Sequence, residues 1–125
     1  MRTMLKSKIH GARITGLCLD YEGSITLDSR LMAEADILPY EQVQVLNMNN
    51  GARFSTYAIT SPEGSGQVCL NGAAARLARK GDAIIILSYS LVADNEAAGI
   101  MPLLIHTDHN NDIKTSKKAT AALPF

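Results

Sequence analysis

Turn-forming residues recur so closely along this chain that few stretches between them can hold a long helix. They fall at Gly11, Gly16, Glu22-Gly23, Asn49-Asn50-Gly51, residues 61–66, Asn71-Gly72, Lys80-Gly81-Asp82 and Asn110-Asn111-Asp112. The segments between them alternate or are β-branched, which is the pattern of strands. In Gln42-Val43-Gln44-Val45 the alternation turns Val43 and Val45 toward a core. Asn50-Gly51 then supplies the positive φ angles of a tight hairpin, and residues 53–60 form its return strand. The apolar run at 83–89 reads as a strand buried on both faces or at a barrel's centre, and Leu103-Leu104-Ile105 as another short strand. Two short helices are expected. Asp28 caps one over 29–35, with Leu31 and Ala35 a turn apart. Asn71 leads into the other over 73–79, closed by Gly81. The sum is a mainly β fold, a small barrel with short helices.

The chain's 125 residues make one domain, without repeat or linker. Twelve basic residues balance twelve acidic ones, which argues against a nucleic-acid partner, whose binding needs excess positive charge. The longest aliphatic run, residues 83–87, is far short of the ~20 residues of a membrane span. The first residues hold no continuous apolar stretch of a secretory signal. Cys18 and Cys69 stand apart in apolar, strand-like contexts and are expected as buried, reduced thiols rather than a disulfide. These readings point to the cytoplasm. Residues 114–125 are expected to form a loose tail.

The segment that bears most on chemistry is Tyr21-Glu22-Gly23-Ser24-Ile25-Thr26. By itself Gly23-Ser24 is a bend between two strands. It also has a sharper chemistry, because a serine hydroxyl can attack the preceding carbonyl and turn the amide into an ester. Glycine leaves that carbonyl unshielded and lets the backbone adopt a strained form. Elsewhere, Lys8 and His10 share one face of a strand, and so do Arg53 and Tyr57. Asn71-Gly72-Ala73-Ala74 is a polar turn followed by small residues that let a backbone approach a ligand. Taken singly, each has a structural explanation: a solvated cation, a core aromatic, a structural histidine.

Together and in order they resemble the aspartate 1-decarboxylases, pyruvoyl-dependent enzymes that make β-alanine for pantothenate synthesis. The matching pieces are Arg2-Thr3-Met4-Leu5 with Lys8 and His10, the 21–26 segment, Asn49 to Tyr57, Leu70 to Arg76, and Gly81-Asp82 before Ile84-Ile85-Ile86. The resemblance spans residues 1–98 and is poor from Gly99 onward; Gly11 replaces a basic residue of many members.

The resemblance implies a six-stranded double-psi β-barrel, a homotetramer with active sites between protomers, and a proenzyme. Ser24 would attack the Gly23 carbonyl, giving a β chain (residues 1–23) and an α chain (residues 24–125) that begins with a pyruvoyl group made from Ser24. Thr56 matches the residue that assists this maturation, and an accessory protein is a candidate trigger for it. Strict alternation puts Thr56 on the face opposite Arg53 and Tyr57, so either the strand is bulged or the two faces serve different surfaces. The pyruvoyl ketone would form a Schiff base with L-aspartate and act as the electron sink, with no metal and no pyridoxal phosphate. Tyr57 matches the proton donor. Arg53 would hold the retained carboxylate in its planar fork, and Lys8 is a second cation. Asn71, Gly72, Ala73 and Ala74 would border the substrate, with His10 and Tyr21 in supporting places.

Three other readings compete. One is an uncleaved barrel that binds a ligand or partner. Another is a metal hydrolase built on His106, Asp108 and His109. The third is a pyruvoyl decarboxylase for another amino acid, since Arg53 does not by itself separate aspartate from glutamate.

Overall fold

The computed structural model describes residues 1–119. In chain order its elements are β1 (Arg2–Arg13), β2 (Gly16–Cys18), β3 (Ser24–Asp28), α1 (Ser29–Glu34), β4 (Gln42–Asn47) and β5 (Arg53–Ser61). There follow β6 (Val68–Asn71), a 3-10 helix (Gly72–Leu77), β7 (Ala83–Val92), α2 (Asp94–Ala97), β8 (Leu103–Thr107) and β9 (Ile113–Lys118). The hydrogen-bonded order is β2-β6-β3-β5-β4-β7-β1-β8-β9. β1 and β2 stand far apart in that order, yet only Ile14 and Thr15 separate them in the chain. The sheet therefore curls until β2 and β1 meet as one interrupted ribbon, and closure leaves few free edges.

The fold is the expected mainly β barrel, with nine strands in all among the described residues. The ribbon is broken where Ile14 N and Thr15 N donate sideways to Asp82 O and Val68 O. β8 and β9 are added outside the closed circuit, β8 parallel to β1 and β9 antiparallel to β8. β9 also replaces the first part of the loose tail expected at 114–125; residues 120–125 lie outside the described ones.

Alternation builds the core. Val43 and Val45 on β4, Ile84 and Ile86 on β7, Ile25 and Leu27 on β3 and Leu70 on β6 all point inward and are buried. β7 is not equally buried on both faces: Ile85 and Leu87 are only half-covered. The expected hairpin joins β4 to β5 in unbroken antiparallel register, but of Asn50-Gly51 only Gly51 takes a positive φ (77°), and the turn is a longer loop over 48–52 rather than a tight one. The thiols depart from expectation. Both are free, but Cys18 is exposed at the end of a three-residue strand. Cys69 alternates outward between buried Val68 and Leu70.

Asp28 caps α1 as the sequence suggests and does more. Its carboxylate, 0% exposed, accepts from Arg30 N (2.9 Å), Gly64 N (3.1 Å) and Gly66 N (3.0 Å), so one side chain ties the helix start to the 61–66 turn. Burial pushes its pKa up, but the three backbone donors outweigh it and hold the carboxyl below 3.8. A lowered folded pKa means that the contribution is fully present well above pH 3.8 and is lost as pH falls through the folded value. Asp28→Asn puts an N–H against an N–H, so we expect a loss of about 2 kcal/mol at pH 7. The deficit relative to wild type should shrink below pH 4, read by urea unfolding across pH. An equal deficit at all pH values would refute the charged-acceptor account.

Candidate active site

The Gly23-Ser24 peptide sits at a fork in the sheet. β3 begins at Ser24 and pairs with β5 only from Ala58 onward. The earlier part of β5, residues 53–57, pairs with β4 on one side and has no β3 residue opposite on the other. A cavity of about 590 Å³ opens there, lined by Gly23, Thr56, Tyr57, Ala73 and Ala74 among others. A second, of about 340 Å³, is lined by Tyr21, Ser24, Tyr40 and Tyr57. Gly23 faces one, Ser24 the other, and Tyr57 borders both.

This fork resolves the Thr56 question. The β4–β5 register runs without a shift, so there is no bulge, and Thr56 and Tyr57 leave opposite faces of the strand. Both still reach the same cavity, because it lies over an open strand edge that either face can border.

Ser24 is 1% exposed. Its Oγ accepts from Asn71 Nδ2 at 2.8 Å, and the same amide nitrogen donates to Thr26 Oγ1 at 2.9 Å. Antiparallel pairing of β3 with β6 sets Ser24 opposite Asn71. Gly72 is then forced. It has φ 66°, and a Cβ there would lie 2.8 Å from Gly23 Cα, Gly23 N and Tyr21 O. Only a residue without a side chain lets the two backbones meet so closely. Gly23 itself has open space on its Cβ side and no left-handed φ.

The segment after Asn71 is also not the α-helix expected over 73–79. It is a 3-10 helix over Gly72–Leu77, with no side-chain cap from Asn71. The Asn71 amide is engaged by Ser24 and Thr26, and the left-handed Gly72 is incompatible with a regular α-helical start.

Other residues singled out in the sequence lie elsewhere in this chain. Lys8 and His10 do share a face of β1, but they line a cavity of about 190 Å³ with His106. The His10 and His106 rings stand 5.2 Å apart. Burial first, then Lys8 and His106, lower the His10 pKa from 6.5, favouring the neutral ring. Arg53 is exposed at the head of β5 and borders neither cavity beside Gly23.

The candidate metal set is dispersed. His106 faces the β1–β8 cavity, while His109 borders another with Arg13 and Lys80. The Asp108 carboxylate caps its own turn through Asn110 N and Asp112 N. No group of three or more His, Cys, Asp or Glu is placed to hold a metal among the described residues.

Sequence reasoning missed Thr26 and Tyr40. The first had a signal, since it lies two residues beyond Ser24 and so on the same strand face. Tyr40 had none, because nothing local announces a tyrosine with φ 71°.

Comparison with known proteins bears on this arrangement. The family model for aspartate decarboxylase matches residues 1–114, so the likeness continues past residue 98 into β8 and the start of β9. Aspartate 1-decarboxylase of Dehalococcoides mccartyi (strain ATCC BAA-2266 / KCTC 15142 / 195) is 56% identical over 95% of this chain and 96% of its own length. That of Thermoanaerobacter pseudethanolicus is 59% identical over 88% of this chain and 94% of its own. Aspartate 1-decarboxylase 2 of Gloeobacter violaceus is 55% identical over 90% of each. With such matches over nearly its whole length, and a barrel of the kind the family builds, the chain belongs to the aspartate decarboxylase family.

Proposed function

We propose that the chain is a proenzyme that cuts itself between Gly23 and Ser24, and that the mature protein converts L-aspartate to β-alanine and carbon dioxide for pantothenate synthesis in the cytoplasm. One observation carries the reading: the Gly23-Ser24 peptide lies between two cavities that share Tyr57, with the serine hydroxyl held by Asn71.

In maturation, Ser24 Oγ adds to the Gly23 carbonyl and the peptide C–N bond breaks, leaving an ester. Loss of the Ser24 α proton and breakage of its Cβ–Oγ bond free the Gly23 carboxylate. One water then hydrolyses the dehydroalanine, releases ammonia and leaves a pyruvoyl group. Thr56, on the wall beside Gly23, is the hydroxyl suited to hydrogen-bond the scissile carbonyl.

The buried Ser24 position and the adjoining cavities suit such a group, which supplies a carbonyl electron sink for decarboxylation and calls for neither metal nor pyridoxal phosphate. Tyr57 delivers the proton to the carbon that loses carboxylate. Arg53 pairs with the retained carboxylate and Lys8 adds a second cation. Asn71, Gly72, Ala73 and Ala74 border the substrate, and His10 and Tyr21 shape the surroundings. Within one chain the Lys8–His10 face and Arg53 stand away from Gly23. The reading therefore includes a homotetramer in which a neighbouring protomer completes each site.

The test is a denaturing intact-mass measurement with a ketone-reactive hydrazide, followed by an assay for carbon dioxide from aspartate and from glutamate. We expect chains of 23 and 102 residues, label only on the larger, and β-alanine from aspartate with little turnover of glutamate. A single unlabelled chain that stays inactive after prolonged warming, with or without a cell extract to supply an accessory protein, would overturn the reading.

A further inference from the structure

We infer that Tyr40 is a positioning residue for Tyr57, an aromatic brace that fixes the ring whose hydroxyl delivers the proton. The inference rests on the aspartate decarboxylase reading above and assigns a role to a residue outside it. Four observations carry it. The Tyr40 ring stands 6.3 Å from the Tyr57 ring at a 37° tilt, within the range of a paired aromatic contact. Both rings border the cavity that holds Ser24. Tyr40 has φ 71°, a conformation that side chains other than glycine and asparagine seldom adopt. Its side chain is also 77% exposed, so core burial does not account for it.

Such a residue keeps this conformation only where its surroundings over-determine it. The loop around Tyr40 is fastened at several points. Tyr40 N donates to Ala58 O (2.7 Å), next to Tyr57 in the chain, and Ala58 N donates to Glu41 O (3.0 Å). The Glu41 carboxylate accepts from Leu38 N (3.1 Å) and from Lys6 Nζ (2.7 Å), and Lys6 also donates to Asp36 O. β1 and β5 thus both anchor the loop, and the anchored product is one tyrosine ring laid against another. Tyr57 is on the open-edged part of β5, where no strand pairs with it on the Gly23 side. Tyr40 supplies the contact that the missing strand does not.

The test is Tyr40→Gly beside Tyr40→Phe, each in the self-processed enzyme. Glycine accepts the φ angle and removes the ring; phenylalanine keeps the ring. We expect Tyr40→Gly to lower kcat about five- to tenfold, with KM falling in step because the proton is delivered after carbon dioxide departs, and with no fall in thermal midpoint. Tyr40→Phe should restore kcat, and Tyr40→Gly should have no further effect in a Tyr57→Phe background. A loss of kcat that follows a loss of stability, or one that persists unchanged beside Tyr57→Phe, would overturn the inference. The Tyr57 ring resonances of 13C-tyrosine-labelled protein give a readout free of turnover and should shift in Tyr40→Gly. Wild type that fails to decarboxylate aspartate would count against the functional reading alone. Unshifted Tyr57 resonances would count against the brace alone.

Discussion

Ser24→Ala will leave a single 125-residue chain that takes no hydrazide label and forms no β-alanine above background, while the barrel stays folded. The chemical loss is complete because the attacking oxygen and the carbons of the pyruvoyl group both come from Ser24, and no neighbouring hydroxyl can replace it. Thr26 is the nearest alternative by hydrogen bonding, but its Oγ1 belongs to the next inward step of the strand and is not adjacent to the Gly23 carbonyl in the chain. The structural cost is small. Ser24 Oγ accepts one bond from Asn71, whose amide nitrogen keeps Thr26 Oγ1 as partner at 2.9 Å. Losing one neutral hydrogen bond of this kind costs about 1 kcal/mol, so the thermal midpoint should move by only a few degrees. Intact mass, labelling and a thermal melt check the three parts together. Cleavage of the alanine variant, or activity without cleavage, would remove Ser24 from the chemistry.

How far this site was legible in the sequence follows from the range of the interactions that build it. Features set by neighbours in the chain were visible: the alternation that buries Val43 and Val45, the hairpin at Gly51, and the Asp28 cap. The shared face of Lys8 and His10 is likewise local. Features set by pairing between distant strands were not. Asn71 meets Ser24 across 47 positions, and that contact diverts the amide from capping a helix. The press of Gly72 against Gly23 follows from the same pairing, and it makes the helix 3-10 rather than α. The fork that brings both faces of β5 to one cavity depends on where β3 stops pairing, which no spacing within β5 reveals. Asn111 is the clearest hidden case. It looked like part of a polar turn, yet it is buried at φ 64° and bonds Arg13 N, Arg13 O and Gly66 O, in effect a side chain standing in for a strand. The family resemblance supplied roles for residues whose placement the residues alone could not give, and it did so without Thr26 or Tyr40.

The placement of Thr56 and Tyr57 on opposite faces of one strand edge separates making the enzyme from running it, and Tyr57→Phe tests that separation. The variant should self-cleave at the wild-type rate, because the ring still fills its place between the two cavities and against Tyr40. Its kcat for aspartate should fall about 10²- to 10⁴-fold, the usual worth of a positioned general acid. KM should fall in step with kcat and leave kcat/KM nearly unchanged, since the phenolic hydroxyl acts only after carbon dioxide departs and the steps up to that departure are intact. The fall must lie in proton delivery rather than in a distorted cavity, and the cleavage rate supplies that control: a distortion would reach Gly23 and Thr56, which line the same wall. Single-turnover kinetics on fully processed protein should then show carbon dioxide release less impaired than β-alanine formation. If both fall equally, and cleavage slows with them, Tyr57 shapes the site and another group gives the proton. If kcat is unchanged, the hydroxyl has no part in the reaction and water entering the 340 Å³ cavity is the donor.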